Sequence, residues 1–314
     1  MTTTPLRLGT RRSALAMAQA RYVAGRLSAL GHEVELVEIT TKGDVSAAPL
    51  DRIGGTGVFV AALREALLDG RVDLAVHSLK DLPTAPADGL VLAAVPERED
   101  PRDVLCARDG LKLSDLPVGA RVGTGSPRRE AQLRALGLGI EIVGLRGNVD
   151  TRLGKVTDGV LDAVVLARAG LSRLGRLDSV TEVLDPMQVL PAPGQGALGI
   201  ECRTADTTLV EALGALDDSA ARAAVTAERT LLAVLEAGCT APVGAYAEAA
   251  EGDSGLELYI RAVVAARDGS VSIRKSATGS LGGAEQIGRD LAHELLADGA
   301  GAVVDAAGAA SKEE

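Results

Sequence analysis

LRLGTRRSALAMAQARYVAGRLSALGHEVELVEITT, residues 6–41, runs strand, turn, helix and strand in one passage. LRLGT (6–10) reads as a strand, Ser13 stands where a helix N-cap belongs, and apolar residues recur at helical spacing to about Leu30. VELVEITT (34–41) is strand-like again; a Gly-rich loop, a helix near 58–69 and the strand VDLAVHS (72–78) follow. Alternation of this kind predicts a parallel sheet with helices on its faces.

A second pass begins after the charged, Pro-bearing stretch PEREDPRD (96–103): RVGT (121–124), a helix from about Pro127, IEIVGL (140–145), a helix near 148–158, and DAVVLA (162–167). The passes echo each other. Each has a strand ending in Gly-Thr, then Ser and Arg at a helix start, and later a Gly-x-x-Asp leading into an apolar strand, Gly70 to Asp73 and Gly159 to Asp162. Two similar α/β lobes with ligand groups at strand C-terminal ends predict a cleft between lobes.

From about residue 218 the texture changes. DDSAARAAVTAERTLLAVLEAG is one periodic helix ended by Gly238, and the strand-like LELYIRAVVAA (256–266) and SVSIRKSA (270–277) flank the turn signal ARDGS. A last helix is expected near 283–297, with GAASKEE a frayed tail. This is a third, smaller α+β domain.

Composition removes several function classes. Of the 314 residues 46% are apolar, giving ample core, but one Phe, three Tyr and no Trp leave few surfaces for stacking bases. A net charge of −10 weighs against a polyanionic partner. MTTTPLRLGT has no signal-type apolar run, and no stretch reaches the roughly 18 apolar residues of a membrane helix, so a cytosolic protein is expected. Three scattered cysteines, Cys106, Cys202 and Cys239, with only His32, His77 and His293, predict neither disulfide nor zinc.

Positive charge is local instead. Only six of the 33 basic residues are lysine, and seven arginines sit in or beside Gly- and Ser-rich turns. They are Arg11 and Arg12 in GTRRS, Arg128 and Arg129 in GTGSPRR, Arg146 and Arg152 in LRGNVDTRLG, and Arg173 in GLSRLG. Guanidinium forks and free backbone N–H groups at strand-to-helix turns make a trap for carboxylates or phosphates. Two further constellations carry chemistry. HSLKDLP (77–83) delivers His77, Lys80 and Asp81 at the end of an apolar strand, where Asp81 is placed to stabilise a cation or carry protons. Cys239, in EAGCTAPVG, lies on a loop between Gly238 and Pro242, a setting for an exposed thiol, whereas Cys106 in DVLCAR and Cys202 in LGIECR read as buried hydrophobes.

Six motifs, GTRRSALAMAQ, HSLKDLP, GTGSPRR, LRGNVDTRL, LPAPGQGALGIECR and ERTLLAVLEAGCTAPVGAY, resemble in order and spacing those of the porphobilinogen deaminase (hydroxymethylbilane synthase) family over essentially the whole chain. The resemblance implies two periplasmic-binding-protein-like lobes, 1–96 plus 197–214 and 101–191, and a third domain, 218–314, bearing a cysteine on a loop. It implies a transferase of tetrapyrrole and heme biosynthesis, a cytoplasmic monomer that condenses four porphobilinogen molecules head to tail onto a covalent dipyrromethane cofactor, with no nucleic-acid or membrane partner. Residue by residue, it gives Cys239 the thioether to the cofactor and Asp81 the catalytic carboxylate. Lys80, Asp81, Thr124, Ser126, Arg128, Arg129 and Arg146 bind cofactor, and Arg11, Ser13, Arg152 and Arg173 bind substrate; Arg12 matches a variable position. The chemistry is coherent with those residues, because each pyrrole brings an acetate and a propionate, and loss of ammonia leaves an electron-poor cation.

The chain departs from the family pattern in places. Thr56 and Ala61 stand where lysines are common, Ala62 and Arg64 where glutamates are common, Gly125 and Pro127 replace Ser and Leu around Ser126, and Ala241 replaces a β-branched residue. Two other classes use some of the same residues. A solute-binding module needs neither Cys239 nor Asp81, and a cysteine hydrolase needs a His partner, for which only His77 is suitably placed.

Overall fold

The computed structural model describes residues 5–40, 57–235, 242–252 and 255–313. Thr56, Gly238, Cys239 and Ala241 lie outside the described residues. The chain divides into two compact units, Met1–Glu99 with Ala197–Arg222, and Asp100–Gly196 with Ala223–Glu314.

In the first unit the expected elements form in order: β1 (Leu6–Thr10), α1 (Ala14–Ala29), β2 (Val34–Glu38), α2 (Gly57–Leu68) and β3 (Leu74–Ser78). Ser13 caps α1 as its position suggests, accepting from the Ala16 N–H at 3.3 Å. The sheet is not all parallel, however. β1 pairs parallel with both β2 and β3, but the next position is taken by a late strand, β10 (Leu198–Arg203), antiparallel to β3 and to β4 (Leu90–Ala94). The chain returns into this sheet after completing part of the other unit, so no helical crossover connects β3 to β10. The order is β2-β1-β3-β10-β4. Leu8, Val23, Leu27, Leu74, Leu198 and Ile200 meet in its core, each fully buried Leu contributing about 1.5–3 kcal/mol.

The second unit repeats the plan and adds a domain. β5 (Asp103–Ala107), β6 (Arg121–Thr124), β7 (Glu141–Gly144), β8 (Ala163–Ala167) and the short β9 (Glu182–Val183) have the order β7-β6-β8-β5-β9. β6 is parallel to β7 and β8, whereas β5 is antiparallel to β8. α3 (Pro127–Ala135) follows β6 with Ser126 as N-cap, and α4 (Val149–Thr157) follows β7 with Asn148 as N-cap. α5 (Arg168–Arg173) continues directly from β8.

Beyond α6 (Thr207–Gly214) of the first unit, α7 (Ser219–Val234) leads into an antiparallel three-stranded sheet, β11 (Val243–Gly252), β12 (Gly255–Ala265) and β13 (Ser272–Ser280), covered by α8 (Ala284–Ala297). One aliphatic core, including Leu231, Leu258, Ile260, Leu291 and Leu295, joins helices to sheet. The tail expected to fray is helical, α9 (Ala300–Glu313). Its alanine-rich sequence has high helix propensity, and Val303 and Val304 pack onto that core.

Candidate functional site

In the first unit, Arg11 and Ser13 follow β1, and Lys80 and Asp81 follow β3 in a 3-10 turn, Leu79–Asp81. Because β1 and β3 are parallel neighbours, these four residues emerge at one edge of the sheet. The Ser13 oxygen is engaged in capping, which leaves its hydroxyl proton to donate. Two contacts seat the Lys80–Asp81 turn. Gln19, buried on α1, gives Nε2–H to Ser78 Oγ at 2.8 Å, and the Leu79 N–H reaches the Ala197 carbonyl at 3.0 Å. Asp81 itself is half-buried.

His77 is not part of that edge. It is buried, with Nε2 3.1 Å from Glu201 Oε2 on β10. Glu201 also receives Arg64 from α2 through Nη2 at 2.8 Å and Nε at 3.1 Å. Burial alone would raise the Glu201 pKa, but the His77 and Arg64 contacts overcome it and bring it down to about 2. His77 is therefore tied to Glu201, which Arg64 also contacts.

The second unit holds most of the arginines. Thr124 ends β6, its Oγ1 accepting the Ser126 N–H at 3.2 Å, and Ser126 Oγ accepts the Arg129 N–H at 3.5 Å. Gly125 between them has Leu145 close overhead, since a Cβ there would lie 2.4 Å from the Leu145 carbonyl oxygen. The usual serine of the family would have to displace this backbone.

Arg128 and Arg129 turn inward instead of reaching into solvent. Both meet Asp103, which opens β5 and is fully buried: Arg128 Nη2 lies 2.8 Å from Oδ2 and Arg129 Nη2 donates to Oδ1 at 2.8 Å. Arg128 Nη1 donates to the Leu190 carbonyl and Arg129 Nη1 to the Val165 carbonyl at 2.9 Å. Gln195 Nε2 completes the carboxylate's surroundings at 2.7 Å from Oδ1. Burial opposes the Asp103 charge, yet the two guanidinium groups outweigh it and hold the carboxyl far below the usual carboxylate range. One buried anion nevertheless faces two buried cations, and the Nε of each arginine is buried with no hydrogen-bond partner among the described residues.

Arg146, Arg152 and Arg173 extend the positive region. Arg152 gives Nε–H to the Gly147 carbonyl at 2.7 Å, and its pKa is lowered by burial and by the nearby charges of Arg129 and Arg146. Arg173 Nη2 donates to the Gly196 carbonyl at 2.6 Å. Cations that repel one another in a partly dry site fit a ligand with several carboxylates. The mutual influence of Arg129, Arg146 and Arg152 is the observation that most favours such a ligand.

Of the cysteines, Cys106 and Cys202 are buried and free, with burial pushing their thiols up to about 12 and about 11. Neither is a nucleophile at neutral pH. Cys239, the expected attachment point, lies outside the described residues. Asp103, Gln195 and Gln19 are the site residues that sequence reasoning missed. PEREDPRD marked the position of Asp103 as charged, but nothing in it pointed to burial between two arginines.

Two similar α/β lobes, with arginine-rich turns at the sheet edge of the second, define a two-lobed α/β protein, and comparison with known proteins narrows this. The family described as porphobilinogen deaminase, dipyromethane cofactor binding domain, matches residues 6–211, and porphobilinogen deaminase, C-terminal domain, matches residues 222–297. The chain is 60% identical to porphobilinogen deaminase of Nocardia farcinica over 304 residues, covering 95% of this chain and 88% of that protein. It is 59% identical to that of Thermobifida fusca over the full length of both, and 60% identical to porphobilinogen deaminase 1 of Streptomyces coelicolor, covering 96% and 97%. A putative methionine-binding lipoprotein from Bacillus subtilis is a looser likeness, 13% identical with a TM-score of 0.42 over 68% of this chain and 89% of that one. The chain belongs to the porphobilinogen deaminase family.

Among the described residues, no helix is long and apolar enough to cross a membrane.

Proposed function

We propose that this chain condenses four porphobilinogen molecules head to tail on a dipyrromethane primer, releasing one ammonia at each addition, after which water cleaves the bond between the primer and the four added rings to release the linear tetrapyrrole hydroxymethylbilane and leave the primer in place. The observation that carries the proposal is the gathering of Arg129, Arg146 and Arg152, whose positive charges act on one another, within the residues that match a dipyromethane cofactor binding domain. When bound, the dipyrromethane would supply the free pyrrole α-carbon to which the first unit joins, each later unit joining the one added before it. Arg128, Arg129 and Arg146, with Lys80 and the hydroxyls of Thr124 and Ser126, hold its acetate and propionate groups. Arg11, Ser13, Arg152 and Arg173 take those of the incoming unit. Asp81 stabilises the cation left on a pyrrole when ammonia departs, a carboxylate at a developing charge being a strong electrostatic catalyst in a partly dry site. The protein works as a cytoplasmic monomer whose partner is the small substrate, without nucleic acid or membrane.

Cys239 holds the primer as a thioether. The buried, raised thiols of Cys106 and Cys202 support this assignment by elimination among the three cysteines. Intact mass is the test. The purified wild type should weigh as polypeptide plus two linked pyrroles, and Cys239→Ala should be folded, inactive and without the added mass. Retention of that mass in the variant removes Cys239 from its role.

A further inference from the structure

We propose that Asp103 and Gln195 are positioning residues for the Arg128–Arg129 pair, and that through them the C-terminal sheet sets where the pair grips a bound carboxylate. The proposal rests on the dipyrromethane reading above. Its basis is a chain of buried hydrogen bonds within the second unit. Glu228, fully buried on α7, accepts the Ala247 N–H of β11 on Oε1 at 2.7 Å and the Gly194 N–H on Oε2 at 2.6 Å. The next residue, Gln195, gives its Nε2 protons to Asp103 Oδ1 and to the Pro101 carbonyl, each at 2.7 Å. Asp103 then meets both arginines at 2.8 Å. The helix that supports the C-terminal sheet is thus hydrogen-bonded, link by link, to the arginine pair.

Two features set this apart from a buried pair that only stabilises the fold. The charges do not balance: a neutral Gln195 and one carboxylate surround two guanidinium groups, and both Nε atoms are left without a hydrogen-bond partner among the described residues. The carboxylate also takes one Nη2 from each arginine, so the two planes share an anchor and neither turns without disturbing the other. Gln195 bonds to the same oxygen as Arg129 and fixes the carboxylate's orientation without cancelling its charge. Asp103 touches no substrate in this account; it acts through the arginines.

The test uses Asp103→Asn, which keeps shape and removes the anion, and Gln195→Met, which keeps bulk and removes the donor. Each is purified beside the wild type, checked for fold by circular dichroism, and weighed intact before and after exposure to porphobilinogen. A hydrogen bond to a charged group governs orientation at the level of about tenfold or more. Folded Asp103→Asn should therefore show primer-loaded protein reduced by about tenfold or more, and Gln195→Met should load primer but stall at intermediate masses. The rung at which elongation stops is a readout that loss of stability alone does not move. A folded variant of either kind with wild-type loading and a complete mass ladder overturns the proposal. If Asp103→Asn does not fold, Gln195→Met decides: a complete ladder overturns it and a stalled one supports it. Wild-type protein lacking pyrrole mass overturns the functional reading and this inference together.

Discussion

In the first unit, Asp73 accepts the Arg7 N–H at 2.9 Å and returns its own N–H to the Arg7 carbonyl at 2.8 Å; in the second, Asp162 does the same with Arg121, at 2.7 and 2.9 Å. Gly70 and Gly159, at φ of 69° and 70°, turn the chain into each of these clamps in a region where a side chain is strained. Strand order agrees as well, with three parallel strands followed by an antiparallel strand in fourth place. What differs is the carboxylate on that antiparallel strand. In β5, Asp103 pairs with Ala167 at the C-terminal end of β8, whereas in β10 the matching position beside Ser78 is Leu198, and the acid, Glu201, lies deeper, opposite Ala75. The carboxylate at the edge pairs with Arg128 and Arg129. The one in the interior ties helix α2 to the sheet through Arg64. The frame is shared, and what differs is where one acid falls along one strand.

The largest expected effect follows from the edge position. Arg129→Leu removes the hydrogen bonds that its guanidinium gives to buried Asp103 and to the Val165 carbonyl, while Arg128 still faces the carboxylate, so stability should fall by at least about 1.5–3 kcal/mol. Arg152→Leu removes one of several mutually repelling cations, so stability should change by less than about 1 kcal/mol while primer loading falls. Denaturant midpoints and intact masses of the two variants provide the comparison. Equal, small losses of stability in both would mean that Asp103 does not depend on Arg129.

Next is Asp81, which stands in the 3-10 turn at the corresponding edge of the first unit. Asp81→Asn in primer-loaded protein should lower turnover by at least about 100-fold and leave the melting temperature near the wild-type value. Near-normal turnover in that loaded variant would remove Asp81 from catalysis.

Much of the shared frame is legible in the sequence. Gly-Thr followed by Ser and Arg marks both strand-to-helix turns, and Ser13 and Ser126 are found as the caps their positions suggest. The antiparallel strands are not legible in the same way. LVLAA, DVLCA and LGIECR are short apolar runs without alternation, and β10 joins its sheet from more than 100 residues away in the chain. Partners set by that late return are invisible to local pattern: Arg64 and Glu201 are 137 residues apart, and Gln195 and Asp103 are 92 apart. The arginines stand out in the sequence because they lie in turns, but the acid that two of them contact does not, because that contact exists only after β5 is in place.

The smallest expected effect separates the interior acid from the edge acid by pH. Glu201 has its folded pKa depressed from 4.5 to about 2, so it adds stability above pH 4.5 that is lost as pH falls toward 2. Asp103 is depressed too, and both units therefore weaken in acid. Glu201→Gln removes one of the two contributions. The variant should be less stable than wild type at neutral pH by about 1–3 kcal/mol, and the gap should narrow steadily below about pH 4.5. The narrowing has a definite sign: in acid the wild type must protonate Glu201 against the Arg64 charge, whereas the glutamine has no proton to take up. Denaturant midpoints measured from pH 7 down to the onset of acid unfolding give both curves. Parallel curves across that range would mean that Glu201 is not ionised by its partners in the folded state, and the contrast between the two acids would then rest on Asp103 alone.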